Sequence, residues 1–206
     1  MRYFKYFFWI ILGLIFITLC IKIPFGVPYE KFAEFDILPD TLGYVFITTG
    51  LAGLSEYSKA FSYARIFTVV LGLMSIVTYG NLSKHYFDLF AMQFTILFGF
   101  LFTNCIIAFF ILFLSGMRKL LHVNGVEGQV YSTTTCFVFA AVVNVIAAFA
   151  TLPEIKELFS GTANGTILLV ASLASAVWIA VRLWKNAAAI ENKFNEKAFK
   201  KNSLSN

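Results

Sequence analysis

FDILPDTLGYVFITTGLAGLSEYSKAFSYAR, residues 35–65, decides how this chain is read. Two aspartates flank a proline, and a long uncharged run with three glycines follows. Asp36 suits an N-cap, Pro39 is tolerated in a first helical turn, and Asp40 falls where the helix dipole favours an anion. A helix from Ile37 to Ser58 would have 22 residues and a length of about 33 Å at 1.5 Å per residue, enough to cross a bilayer. Gly43, Gly50 and Gly53 cluster on one side of it, at 100° per residue, and such a small-residue face admits a close neighbour. In the next apolar run, Ala64, Thr68 and Gly72 repeat every fourth residue. The expectation is a tight antiparallel hairpin of these two helices, turning near Ser58, with the two small faces against each other.

The rest of the chain has the same character. Of 206 residues, 59% are hydrophobic and 13% charged, against about 25% charged in an ordinary soluble domain. Polar side chains are too few to cover a globule of this size, so lipid is the expected solvent for much of the surface. The apolar runs are continuous rather than alternating, which argues against a membrane β-barrel. The expected fold is all-α: a polytopic bundle of about six transmembrane helices at about residues 6–22, 37–58, 61–80, 88–114, 131–152 and 166–184. A basic tail, 185–206, follows.

The first run starts with Arg2 and Lys5 and lacks a small-x-small cleavage site, so it reads as a retained span rather than a signal peptide. Residues 24–36, between Pro24 and the second span, read as a loop whose aromatics suit the headgroup layer. Phe94, Phe98, Phe102, Phe109 and Phe113 give the fourth span an expected lipid-facing surface, leaving Gly99, Asn104 and Ala108 for packing. Asn124-Gly125 and Glu127-Gly128 mark a turn before the fifth span. In the tail, Ile190, Phe194 and Ala198 recur among charges, as in an amphipathic helix lying on an anionic leaflet; a solvated tail fits equally.

Charge sets the threading. With six spans both ends share a side, and twelve Lys and Arg fall there: Arg2, Lys5, Lys59, Arg65, Arg118, Lys119, Arg182, Lys185, Lys193, Lys197, Lys200 and Lys201. The other side holds Lys22, Lys31, Lys84 and Lys156. The positive-inside rule therefore places both termini in the cytoplasm, and Glu30, Glu34, Asp36 and Asp40 outside. The net charge of +5 is accounted for by topology, without nucleic acid as a partner.

Catalytic signatures are missing. There is no HExxH, Walker A, CxxC or GxSxG pattern. Cys20, Cys105 and Cys136 lie singly in apolar runs and behave as small hydrophobes. His85 and His122 fall on opposite sides, so no shared metal and no cofactor is expected. Asp36 and Asp40, with Glu30 and Glu34, form a candidate outer-face binding group for a cation or a basic partner. Helix-start chemistry is the simpler reading of the two aspartates. Asn104 and Asn144, near mid-span, are candidate intramembrane polar residues for a pocket or pore, or else helix-to-helix hydrogen bonds.

The residues Asp36, Leu38, Pro39, Asp40, Gly43, Tyr44, Gly50, Leu51 and Leu54, with Phe61 and Ala64 beyond, resemble a motif of small multi-pass membrane proteins of Gram-positive bacteria. That family has no assigned activity. The resemblance therefore implies an integral protein of the bacterial plasma membrane and no catalytic role. Three functional classes follow: a non-enzymatic partner, regulatory or immunity-type protein; a small-solute transport or substrate-capture component; and a membrane-embedded enzyme. The expected partners are the bilayer and a membrane protein or a second copy of the chain.

Overall fold

The computed structural model describes residues 2–18, 22–25, 33–36, 40–79, 91–149 and 162–203. Among the described residues six α-helices carry the fold: α1 (Arg2–Thr18), α2 (Asp40–Leu54), α3 (Lys59–Tyr79), α4 (Ala91–Val123), α5 (Val130–Phe149) and α6 (Thr162–Ser203). Two short strands, β1 (Lys22–Phe25) and β2 (Ala33–Asp36), pair antiparallel between α1 and α2. Four of the helices are long and apolar enough to cross a membrane.

Each helix packs on its neighbour in sequence, and α6 packs on α1. The six therefore form a closed ring. Contacts between neighbours run antiparallel all the way round. Gly13 meets Gly43 while Tyr6 meets Gly53; Thr41 hydrogen-bonds Ser75 at 2.8 Å while Gly72 faces Tyr44. Phe61 rests on Phe113, Phe113 on Phe137, Thr133 on Asn186, and Trp184 on Phe4. Both chain ends and the turns at 55–58 and 124–129 thus share one end of the ring, and the β-hairpin lies at the other.

Local chemistry sets the helix ends. Ser58 caps α3, accepting from the Ala60 N–H at 3.3 Å. α4 ends in a Schellman turn: Gly125 takes φ +71°, its N–H reaches the His122 carbonyl, and the Val126 N–H reaches that of Leu121. α2 begins at Asp40, three residues later than the expected Ile37, and Asp36 ends β2 instead of capping the helix. Proline disfavours helical backbone in the residue before it and has no N–H, so a helix starting at Asp40 avoids both conflicts. The expected loop at 24–36 accordingly contains β2 and the last two residues of β1. α1 ends at Thr18 rather than residue 22.

Two helices outrun their apolar segments. α4 has 33 residues and continues past the expected end at Leu114 through Arg118 and Lys119, which are good helix formers. α6 has 42 residues and passes through residue 185 unbroken, so the tail continues the sixth helix. Its first turns beyond the apolar run are held by burial, since Asn186, Ala187 and Ile190 are enclosed.

The small-residue faces also differ from expectation. Gly43, Gly50 and Gly53 face α1, not α3. A Cβ at Gly43 would sit 2.7 Å from the Gly13 carbonyl oxygen, and one at Gly50 2.6 Å from that of Tyr6. Ala64, Thr68 and Gly72 do meet α2, but against Tyr44 and the larger side chains of its other flank. On α4, Phe109 and Phe113 are buried while Leu97, Phe100 and Ile111 face outward. Two members of the expected lipid-facing stripe, Phe109 and Phe113, are therefore part of the core, with Phe113 joined to Phe61 and Phe137 through edge and tilted ring contacts; Phe98 and Phe102 are half-buried, and the Phe94 side chain lies outside the described residues.

Candidate functional site: a cavity at the centre of the ring

The end that carries the termini is tightly filled. Phe7, Leu54, Phe61, Phe113, Met117, Leu121 and Leu183 are all almost fully buried there. Towards the hairpin end the filling stops, and a cavity of about 70 Å³ remains, lined by residues of all six helices. One water needs roughly 10–15 Å³ of such space, so the cavity has room for about five heavy atoms. α1 contributes Leu14, Ile17 and Thr18; α2, Tyr44 and Ile47; α3, Thr68 and Leu71. Ile106, Phe109 and Phe110 come from α4, Asn144 from α5, and Ser172, Ser175, Ala176 and Ile179 from α6.

The polar groups of the lining fall into two sets. In the first, a side-chain hydrogen is directed to the backbone of its own helix. Thr18 Oγ1 donates to the Leu14 carbonyl at 2.6 Å, Thr68 Oγ1 to Ala64 at 2.8 Å, Ser175 Oγ to Ser172 at 2.8 Å, and Asn144 Nδ2 to Ala140 at 2.8 Å. Each satisfies a backbone carbonyl of its own helix, as Ser and Thr do where water is absent. The three hydroxyls retain lone pairs on oxygen, and the Asn144 amide retains its oxygen and a second N–H. In the second set are the hydroxyls of Tyr44 and Ser172. The Tyr44 side chain is nine-tenths enclosed, lines the cavity, and its hydroxyl has no protein partner among the described residues. Among the described residues no Lys, Arg, Asp or Glu lines the cavity. Asp40 stands one turn before Tyr44 on the same face of α2.

The sequence-derived candidates separate in space. Asn144 lines the cavity. Asn104 does not: it is exposed on the outside of the ring, where its Nδ2 donates to the Phe100 carbonyl at 2.8 Å. The two asparagines therefore form no common site. Asp36 and Glu34 lie in β2, in register with Lys22 and Pro24, so Asp36 and Asp40 do not share a helix face as the expected i,i+4 pair. Glu30 and His85 lie outside the described residues. Among the described residues no group of three His, Cys, Asp or Glu stands close enough to hold a metal ion.

A second polar cluster was not foreseen. Arg182, counted above among the charges on the side of the termini, binds the start of α5. Its Nε donates to Thr133 Oγ1 at 3.1 Å, and one terminal nitrogen donates to the Gln129 carbonyl at 2.9 Å, to Gln129 Oε1 and to Ser132 Oγ. Asn186 Nδ2 donates to Thr133 Oγ1 at 3.0 Å. This network ties α5 to α6 at the termini-bearing end.

Comparison with known proteins adds no identity, since no family model, curated protein or solved structure matches the chain.

Proposed function

We propose that the protein is a small-solute capture component of the bacterial cytoplasmic membrane, with the central cavity as its binding place. The observation that carries this reading is a cavity lined from all six described helices, whose wall includes the largely buried Tyr44 with a hydroxyl that has no protein partner among the described residues. A bound molecule that pairs with this hydroxyl gains a hydrogen bond, worth about 0.5–1.5 kcal/mol net. The described lining holds neither a cation nor an anion, and an unpaired buried charge is costly, so its chemistry favours a neutral solute.

Both termini lie in the cytoplasm in this reading, because twelve of the sixteen Lys and Arg fall at or near their end of the ring. The filled core at that end leaves the hairpin side, outside the cell, as the side of entry. Cysteines introduced at Gly128 and at Glu34 test the threading. Gly128→Cys should react only with a reagent admitted to the cytoplasm, and Glu34→Cys with an impermeant reagent from outside. The reverse pattern refutes it. Capture itself is tested by thermal unfolding of the purified full chain against a panel of small solutes. A saturable rise in unfolding temperature that Tyr44→Phe abolishes supports the reading, and a flat response to the whole panel refutes it.

One observation favours a partner or regulatory protein as the second reading. Beyond Ile190, α6 carries exposed Lys193, Phe194 and Lys197 with few contacts to the ring. Stable co-purification of a membrane protein that is lost on removing residues 192–206 would support it.

A further inference from the structure

We infer that the outer seam between α5 and α6 is a site for an anionic phospholipid, with the lipid phosphate at Arg182 and Lys185 and an acyl chain along Trp178 and Phe139. The inference is independent of solute capture. Arg182 is half-buried, yet its charge is not balanced: among the described residues no carboxylate pairs with it. Its guanidinium is held in place by neutral acceptors alone. Nε and one terminal nitrogen donate to Thr133 Oγ1, the Gln129 carbonyl, Gln129 Oε1 and Ser132 Oγ. The other terminal nitrogen has no protein partner among the described residues, and it carries two N–H donors. A fixed cation with two spare donors is the complement of a phosphate group.

The seam is graded from charged to apolar. On α6, Lys185 lies three residues after Arg182 and Trp178 four before it, so the three share one face. Lys185 and Trp178 are exposed. On α5, Ser132 and Phe139 stand on the flank that meets this face: Ser132 reaches Arg182, and the Phe139 ring lies 5.5 Å from that of Trp178. Phe139 is exposed as well. The basic pair therefore sits at the termini-bearing end of the seam, and the two rings one turn further into the apolar segment. A soluble anion would engage the basic pair alone. A phospholipid engages the whole column, because its phosphate and its chains are joined in the order the seam presents them. Basic pockets between membrane helices on the cytoplasmic side suit anionic head groups for this reason.

The test is lipid retention by the purified full chain, read by native mass spectrometry after equilibration in detergent with equal amounts of dioleoyl phosphatidylglycerol and dioleoyl phosphatidylcholine. These lipids share their chains and differ in net charge. The expected result is bound phosphatidylglycerol in clear excess over phosphatidylcholine. One basic residue near an anionic surface is worth about fivefold, so Lys185→Gln should lower that excess by about this factor, and Arg182→Gln by at least as much. Lys197→Gln removes the same charge about 18 Å further along α6 and should leave the excess unchanged. Lys185 takes no part in the hydrogen bonds that tie α5 to α6. If Arg182→Gln fails to fold, the Lys185→Gln and Lys197→Gln pair therefore decides the point. Glycerol phosphate, a head without chains, should not displace the bound lipid at equal concentration; displacement would make the site one for a soluble phosphate and overturn the lipid assignment. Equal retention of the two lipids, retention of neither, or equal losses in Lys185→Gln and Lys197→Gln also overturns it.

Discussion

Gly43→Ala is the sharpest test of the ring, because it adds one methyl group where two backbones touch. The new Cβ would stand 2.7 Å from the Gly13 carbonyl oxygen and 2.6 Å from Ile17 Cγ1. The isoleucine can turn aside, but the carbonyl belongs to a helix and cannot. Ordinary contact begins near 3.4 Å, so α1 and α2 must part locally by roughly 0.7 Å. Contacts along the same seam then loosen, including Gly50 against Tyr6 and Ile10. Overpacking of this kind costs about 1–3 kcal/mol. For a chain of this size each kcal/mol lowers the unfolding temperature by about 2–4 °C, so the expected drop is roughly 2–12 °C. The assay is thermal unfolding in detergent, with Gly128→Ala as control, since a Cβ there meets nothing within 4 Å. Gly72→Ala should fall between the two, its nearest neighbour being Tyr44 Cβ at 3.2 Å. If Gly43→Ala unfolds at the wild-type temperature, the backbone contact between α1 and α2 is wrong.

Three further outcomes are expected. Arg182→Met removes the donor group from Gln129, Ser132 and Thr133 and should cost about 1.5–3 kcal/mol, the range for hydrogen bonds to charged groups; unchanged thermal stability would contradict this. Asn104→Ala should change stability by no more than about 0.5 kcal/mol, because its amide serves only its own helix on an exposed face. A stop after Glu191 should leave the unfolding temperature near wild type, whereas a stop after Lys185 should lower it, since the latter removes buried Asn186, Ala187 and Ile190; equal effects would refute the continuous packing of α6.

The helical class and approximate helix positions were legible in the sequence, because long apolar runs in a chain so poor in charge have few other solutions. Which face of each helix turns inward was not. In lipid the outside of a bundle is as apolar as its core, so the phenylalanines of α4 give no sign of direction, and Phe109 and Phe113 go inward while Phe100 goes out. The same ambiguity left Asn104 and Asn144 equivalent until the rotation of each helix was known. The glycine stripe of α2 did announce a close neighbour, but a helical wheel cannot say which helix fills it, and Gly13 of α1 was overlooked as its mate. Helix ends were misjudged where hydrophobicity stood in for helix propensity: α4 and α6 run on through polar residues that favour helix. Tyr44 had one available signal, its place four residues after Asp40, yet a tyrosine at the start of a span is ordinarily an interfacial anchor.

Closure of the ring has a consequence for how the chain is made. α1 leaves the ribosome first, but its second neighbour, α6, lies at the far end of the sequence. At about 5–20 residues per second, the interval between the two is on the order of 10–30 s. During that time the nascent protein is an open horseshoe, with one flank of α1 and the half-formed cavity turned towards whatever surrounds them. The wall that makes the centre a compartment arrives last, so a chain stopped before α6 would lack the cavity altogether, however well its first five helices had assembled.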